Sequence, residues 1–104
     1  MTRVKVEPGV CGMVSTIEVS KDGMKMNLKI DSACEMVKQL GEGLAEVSLR
    51  DALKPHAESI VYEWASKVRS HAACPVPMAI LKAIEVEAKM ALPRPVSITF
   101  EPVE

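Results

Sequence analysis

Ser15-Thr16-Ile17-Glu18-Val19-Ser20-Lys21-Asp22-Gly23-Met24-Lys25-Met26-Asn27-Leu28-Lys29-Ile30 is the stretch that decides the fold. Ser15, Ile17 and Val19, with Met13 just ahead, share one face, while Thr16, Glu18 and Ser20 point the other way. Beyond the break, Met24, Met26, Leu28 and Ile30 alternate with Lys25, Asn27 and Lys29. Alternation with period two is the mark of a half-buried strand, and Asp-Gly is a preferred dipeptide of tight hairpin turns. The stretch therefore predicts an antiparallel hairpin with one wet and one dry face.

Upstream, Val4 and Val6 alternate with Arg3, Lys5 and Glu7, a short strand ended by Pro8-Gly9 and followed by Val10-Cys11-Gly12. Downstream the period changes to helical. Ser32 with Glu35 three residues on resembles a capping box. Ala33, Met36, Val37, Leu40 and Leu44 then form one stripe, and Gly41 and Gly43 predict the helix end. Ser48-Leu49-Arg50-Asp51 repeats the capping pattern for a short helix that stops before Pro55. A further helix is expected from about Ala57 to Arg69, with Ile60, Val61, Trp64 and Val68 inward and Glu63–Lys67 paired outside.

Pro77 is expected to open a last helix reaching Leu92. Lys82, Glu85 and Lys89 form its narrow wet stripe, and apolar residues fill most of the rest. After Pro93 and Pro95, Val96, Ile98 and Phe100 alternate with Ser97 and Thr99 as a closing strand. Strands, then helices, then a strand read as one α+β domain over residues 1–104. The expected architecture is an antiparallel sheet of the N-terminal strand, the hairpin and the C-terminal strand, with three to four helices on one face.

Composition bounds the function. The chain has 13 Lys and Arg against 14 Asp and Glu, a formal net charge of −1, and 3% aromatic residues. A nucleic-acid binder needs a basic footprint or aromatic stacking platforms, and neither is present. The first residues lack the apolar core of a secretory signal, and the longest apolar run, Ala72 to Leu81, is too short for a membrane span. A cytoplasmic protein that binds neither nucleic acid nor membrane is the expectation. Three cysteines, an odd number, argue against a disulfide framework.

Those cysteines carry the chemistry. Cys11, Cys34, His71 and Cys74 are the residue types of a Cys3His site, suited to zinc or, through the thiolates, to an iron–sulfur cluster. Only His71 and Cys74 form a short chelating pair, whereas a zinc finger has two. Each cysteine sits beside a turn or a helix start. The competing reading is that free cysteines simply pack in the core. A third reading makes Cys74 a reactive thiol, because a helix start carries partial positive charge. No Ser/His/Asp set, phosphate loop or carboxylate pair supports a hydrolase or a nucleotide enzyme.

Two resemblances bear on these readings. Cys74-Pro75-Val76-Pro77 is similar to the Cys-Pro-x-Pro motif of small sulfur-carrier proteins related to the tRNA-thiolation relay, which implies persulfide transfer at Cys74. The likeness covers four residues; in that family the motif follows the first strand, whereas here it lies between two helices. More broadly, Cys11-Gly12, the lone Cys34 entering a helix, Ala72 to Pro77, and Leu81 to Val86 resemble the signature of a family of small uncharacterised cytosolic proteins. That resemblance implies one recurring arrangement of the three cysteines and no activity.

Two expectations concern the last helix. Glu87 lies opposite the wet stripe and reads as a second exposed edge, or alternatively as a carboxylate facing a cleft or partner. A surface helix needs an apolar stripe of only ~100°, so the sector of Ile80, Ala83 and Ala91 is expected to pack against a second copy. A homodimer through the helix spanning 77–92 follows. The competing account is a helix buried centrally within one subunit.

Overall fold

The computed structural model describes residues 1–103. The hairpin forms as the alternation requires: β2 (Ser15–Asp22) and β3 (Lys25–Ser32) pair antiparallel in full register from Ser15↔Ser32 to Asp22↔Lys25. That register leaves Gly23-Met24 as a two-residue loop. Gly23 adopts φ +63°, a left-handed value that glycine takes without a steric cost. β1 (Thr2–Val6) pairs antiparallel with β2, bringing Thr2, Val4 and Val6 opposite Val19, Ile17 and Ser15 on the dry face.

The fourth strand differs from the expectation. β4 (Glu46–Ser48) pairs with β3, and the sheet order is β1-β2-β3-β4. Three residues with a single buried side chain, Val47, are too few for an alternation signal. The C-terminal segment forms no strand, and Val96, Ile98 and Phe100 stand 50%, 76% and 94% exposed. Pro93 and Pro95 lack the N–H that a ladder requires and hold their neighbours extended. The segment leaves the last helix beside β1 without pairing to it.

Four helices complete the α+β fold: α1 (Glu35–Gly43), α2 (Leu49–Ala52), α3 (Ile60–Lys67) and α4 (Val76–Glu87). α1 lies on β3 and α4 on β1 and β2, all on the dry face. Ile17, Val19, Met26, Leu40, Leu44, Val61, Ile80 and Ile84 are the heart of the core. The other face carries alternating charge across the strands, including an Arg3–Glu18 pair at 2.7 Å and Lys25–Glu46 at 3.2 Å.

Local details of the helices depart from the capping expectations. Ser32 is the last strand residue, and Cys34 takes the N-cap position of α1. α3 starts at Ile60, three residues after the expected Ala57, and Ser59 caps it; its Oγ accepts from Val61 N–H at 3.3 Å and donates to the Ala52 carbonyl at 2.7 Å. α1 ends at Gly43, where the glycines predict its end, and Gly41 lies inside its last turn. A Cβ on Gly43 would stand 2.5 Å from the Trp64 ring. The indole occupies the space that a side chain would need.

α4 ends at Glu87, five residues before the expected Leu92, because Lys89 turns to φ +61°. Half of the residues of α4, Val76, Pro77, Ala79, Ile80, Ala83 and Ile84, are buried within one subunit. Ile80 and Ala83, the sector expected to meet a second copy, are both fully buried against the sheet, while Ala91 lies beyond the helix and is exposed. The contact surface expected for a dimer is thus consumed by the fold. No helix among the described residues is long and apolar enough to cross a membrane.

Candidate functional site

The sheet register gives the molecule two distinct ends. Val6, Ser15 and Ser32 are aligned across β1, β2 and β3, so the loop 7–14 and the exit to α1 leave from the same end. The hairpin turn and the start of β1 mark the other. α4 runs antiparallel to β1: Glu87 touches Thr2 and Lys21, while Ala73 and Pro75 border the same cleft as Pro8 and Gly9. Cys11, Cys34, His71 and Cys74 are thereby all carried at the loop end, by three separate connections.

Their surroundings differ. Cys11 is exposed on a loop whose Gly12 N–H donates to the Gly9 carbonyl at 2.9 Å, with Gly9 at φ +91° and Gly12 at φ +68°. Cys34 and Cys74 are half-buried and pack against the hydrophobic core. The Cys34 N–H donates to Ser32 Oγ at 3.1 Å, and Ser32 Oγ accepts from Ser15 Oγ at 2.9 Å. This buried serine pair anchors the entry to α1. Its signal in the sequence was two hydroxyls at dry-face positions of adjacent strands, where apolar residues are the rule.

His71 and Cys74 open and close one turn, in which the Cys74 N–H donates to the His71 carbonyl at 3.0 Å. His71 is exposed. The turn leads to Pro75, the N-cap of α4, with Val76 and not Pro77 as the first helical residue. No three His, Cys, Asp or Glu side chains are gathered into a metal-holding group among the described residues. The four candidate residues therefore share one end of the fold without forming a closed ligand set. His56 lies against Tyr62 instead, their rings 5.1 Å apart between centroids and tilted by 47°.

The opposite end is closed by a carboxylate. Glu87 Oε1 accepts from the Thr2 hydroxyl at 2.7 Å, Oε2 accepts from the Lys21 N–H at 3.0 Å, and the Met1 ammonium lies 3.5 Å away. Its side chain is only 14% exposed, so the expectation of an exposed edge is overturned. The periodicity placed Glu87 opposite the wet stripe of α4 correctly, but the sheet's end occupies that side. The Thr2 hydroxyl, aided by the Lys21 N–H and the ammonium, holds the carboxyl below its usual range, against partial burial, which acts the other way.

The profile of a family described as "Family of unknown function (DUF6951)" matches residues 2–100. The chain belongs to the DUF6951 family. No curated protein and no solved structure matches it. Membership of DUF6951 assigns no activity, so a functional reading of this chain has to come from its own side chains.

Proposed function

We propose that this DUF6951 protein is a small cytoplasmic metal-binding protein whose ligands are Cys11, Cys34, His71 and Cys74, with zinc or an iron–sulfur cluster as the bound species. The observation that carries the reading is the shared position of these four residues at one end of the fold. Two of the thiols sit on firm ground: Cys34 follows a strand anchored by Ser15 and Ser32, and Cys74 leads into the central helix. Cys11 rides on an exposed loop with two glycines of positive φ. Binding then consists of the loop 7–14 closing over the other two sulfurs, with His71 turning inward from its exposed turn. Zinc–sulfur bonds run about 2.3 Å, so the closed site brings sulfurs within roughly 4 Å of one another.

Metal analysis and an absorption spectrum of anaerobically purified protein test this. Bound zinc, or visible absorbance of a cluster, that is lost on Cys11→Ser is the expected result. Absence of metal and of visible absorbance, with three thiols alkylated independently, overturns it.

A second reading is thiol redox or persulfide chemistry at Cys74, which directly precedes the N-cap of the 12-residue α4 and is not sealed in the core. On this reading Cys74 reacts with iodoacetamide faster than Cys11 and Cys34 near neutral pH. A rate at Cys74 no greater than at the other two excludes it.

A further inference from the structure

The C-terminal segment is the one part of the chain whose pattern the fold does not use. Val96, Ile98 and Phe100 stand 50%, 76% and 94% exposed, although single exposed apolar residues, not alternating rows, are what a protein surface ordinarily shows. Ser97 Oγ and Thr99 Oγ1 lie 3.5 Å apart and so share one side, as the alternation of a strand requires. The segment has the sequence pattern of a strand and no strand partner among the described residues.

A site of matching form lies next to it. β1 is an edge strand, paired on one side with β2 and, among the described residues, on the other with nothing. An unpaired edge presents a row of backbone donors and acceptors, and natural proteins cover or blunt such edges. Here no proline or bulge protects β1. Between this edge, the outer side of α4 at Met78, Lys82 and Val86, and the segment itself runs a cleft of about 880 Å³. The chain's own C-terminal segment forms the far wall of that cleft, so it is not also the filling.

We propose that the cleft is filled by a second copy of this chain, with residues 96–100 of each protomer adding as a fifth strand to β1 of the other. The lengths agree, since residues 96–100 match the five residues of Thr2–Val6. The faces agree as well. Val96, Ile98 and Phe100 would extend the dry row of Thr2, Val4 and Val6, and Ser97, Thr99 and Glu101 would lie beside Arg3 and Lys5 on the wet face. Reciprocal exchange is closed by a two-fold axis, so it yields a dimer and not an open chain of copies. Strand addition of this kind takes affinity from main-chain hydrogen bonds and specificity from alternate side chains. The surface is distinct from the buried Ile80 and Ala83 sector of α4, and the proposal is independent of any metal at the cysteine end.

Light scattering of the full chain at micromolar concentration, with hydrogen exchange of the β1 amides, tests the proposal. The expected result is twice the monomer mass, with the outward amides of β1 protected. Ile98→Asp and Phe100→Asp are then expected to halve the mass and abolish that protection. Because both side chains are exposed in the single chain, the separated variants should keep the helical circular dichroism and a cooperative melt, lowered only by the loss of association. A monomeric wild-type protein overturns the proposal, whether its β1 amides are protected, as when its own segment closes on them, or freely exchanging, as when a foreign segment is the natural occupant. A dimer that survives Ile98→Asp overturns it too.

Discussion

The two ends of this sheet are finished in opposite ways. At the hairpin end, Glu87 ties the last turn of α4 to Thr2 and Lys21, β4 covers the start of β3, and a two-residue turn leaves no slack. At the loop end, residues 7–14 stand away from the core, with Val10 fully exposed and Met13 and Val14 over 40% exposed. All three cysteines and His71 are on that side. The contrast teaches where the fold is tied and where it is open: one end is stitched by hydrogen bonds, and the other carries the three thiols and the imidazole on its connections, with Cys11 and His71 exposed and Cys34 and Cys74 packed against the core.

The largest effect expected from testing this contrast is at Gly43. A Cβ there meets the Trp64 ring at 2.5 Å, so Gly43→Ala forces the indole out. Overpacking of this kind costs about 1–3 kcal/mol, and at the last residue of α1 little of the ~1 kcal/mol that alanine gains over glycine in a helix interior offsets it. Denaturant titration should show a loss. A variant as stable as the parent would mean that Trp64 repacks freely, and that α1 and α3 are not held in register by that contact.

Glu87 comes next. Replacing it by Gln removes a charge-assisted pair of hydrogen bonds, with an expected loss of about 1–2 kcal/mol near neutral pH. The sign of the pH dependence follows from its carboxyl being lowered in the folded state. Such a group contributes fully above its unfolded value of about 4.3 and loses the contribution as pH falls through the folded value. The difference between parent and Glu87→Gln should therefore shrink on acidification below that range. A difference independent of pH would assign the loss to packing, not to charge.

The smallest effect belongs to the loop end. Cys11 is exposed, and Cys11→Ser should change the unfolding free energy of metal-free protein by no more than the roughly 0.5 kcal/mol typical of surface substitutions, read by denaturant titration. A substantial loss in metal-free protein would show that the loop 7–14 is part of the structural core, and would erase the distinction between the two ends.

Much of this fold was legible because strand and helix periodicities are local. Ile17, Val19, Met26 and Leu28 announce their common face through alternation alone, and the register adds no surprise. The helices at Val37–Leu40, Val61–Ala65 and Ile80–Ile84 were equally visible, with boundaries displaced by a few residues because caps are single-residue events that neighbours override. Among the site residues, the types and their positions at turns could be read directly. Their common end could not, since it depends on α4 running antiparallel to β1.

What the sequence determined by itself, then, is the hairpin, the first strand, the helical segments and the presence of three thiols and an imidazole beside turns. Tertiary structure alone decided four other matters: that β4 takes the far edge of the sheet, that Glu87 is a latch, that Gly43 makes room for Trp64, and that Val96 to Phe100 is left without a strand partner. Each of these depends on which distant element arrives alongside. Alternation marks a segment as fit to pair, but the hydrogen bonds of a ladder and the covering of an apolar face are supplied by residues far away in the chain, and a local pattern carries no record of them.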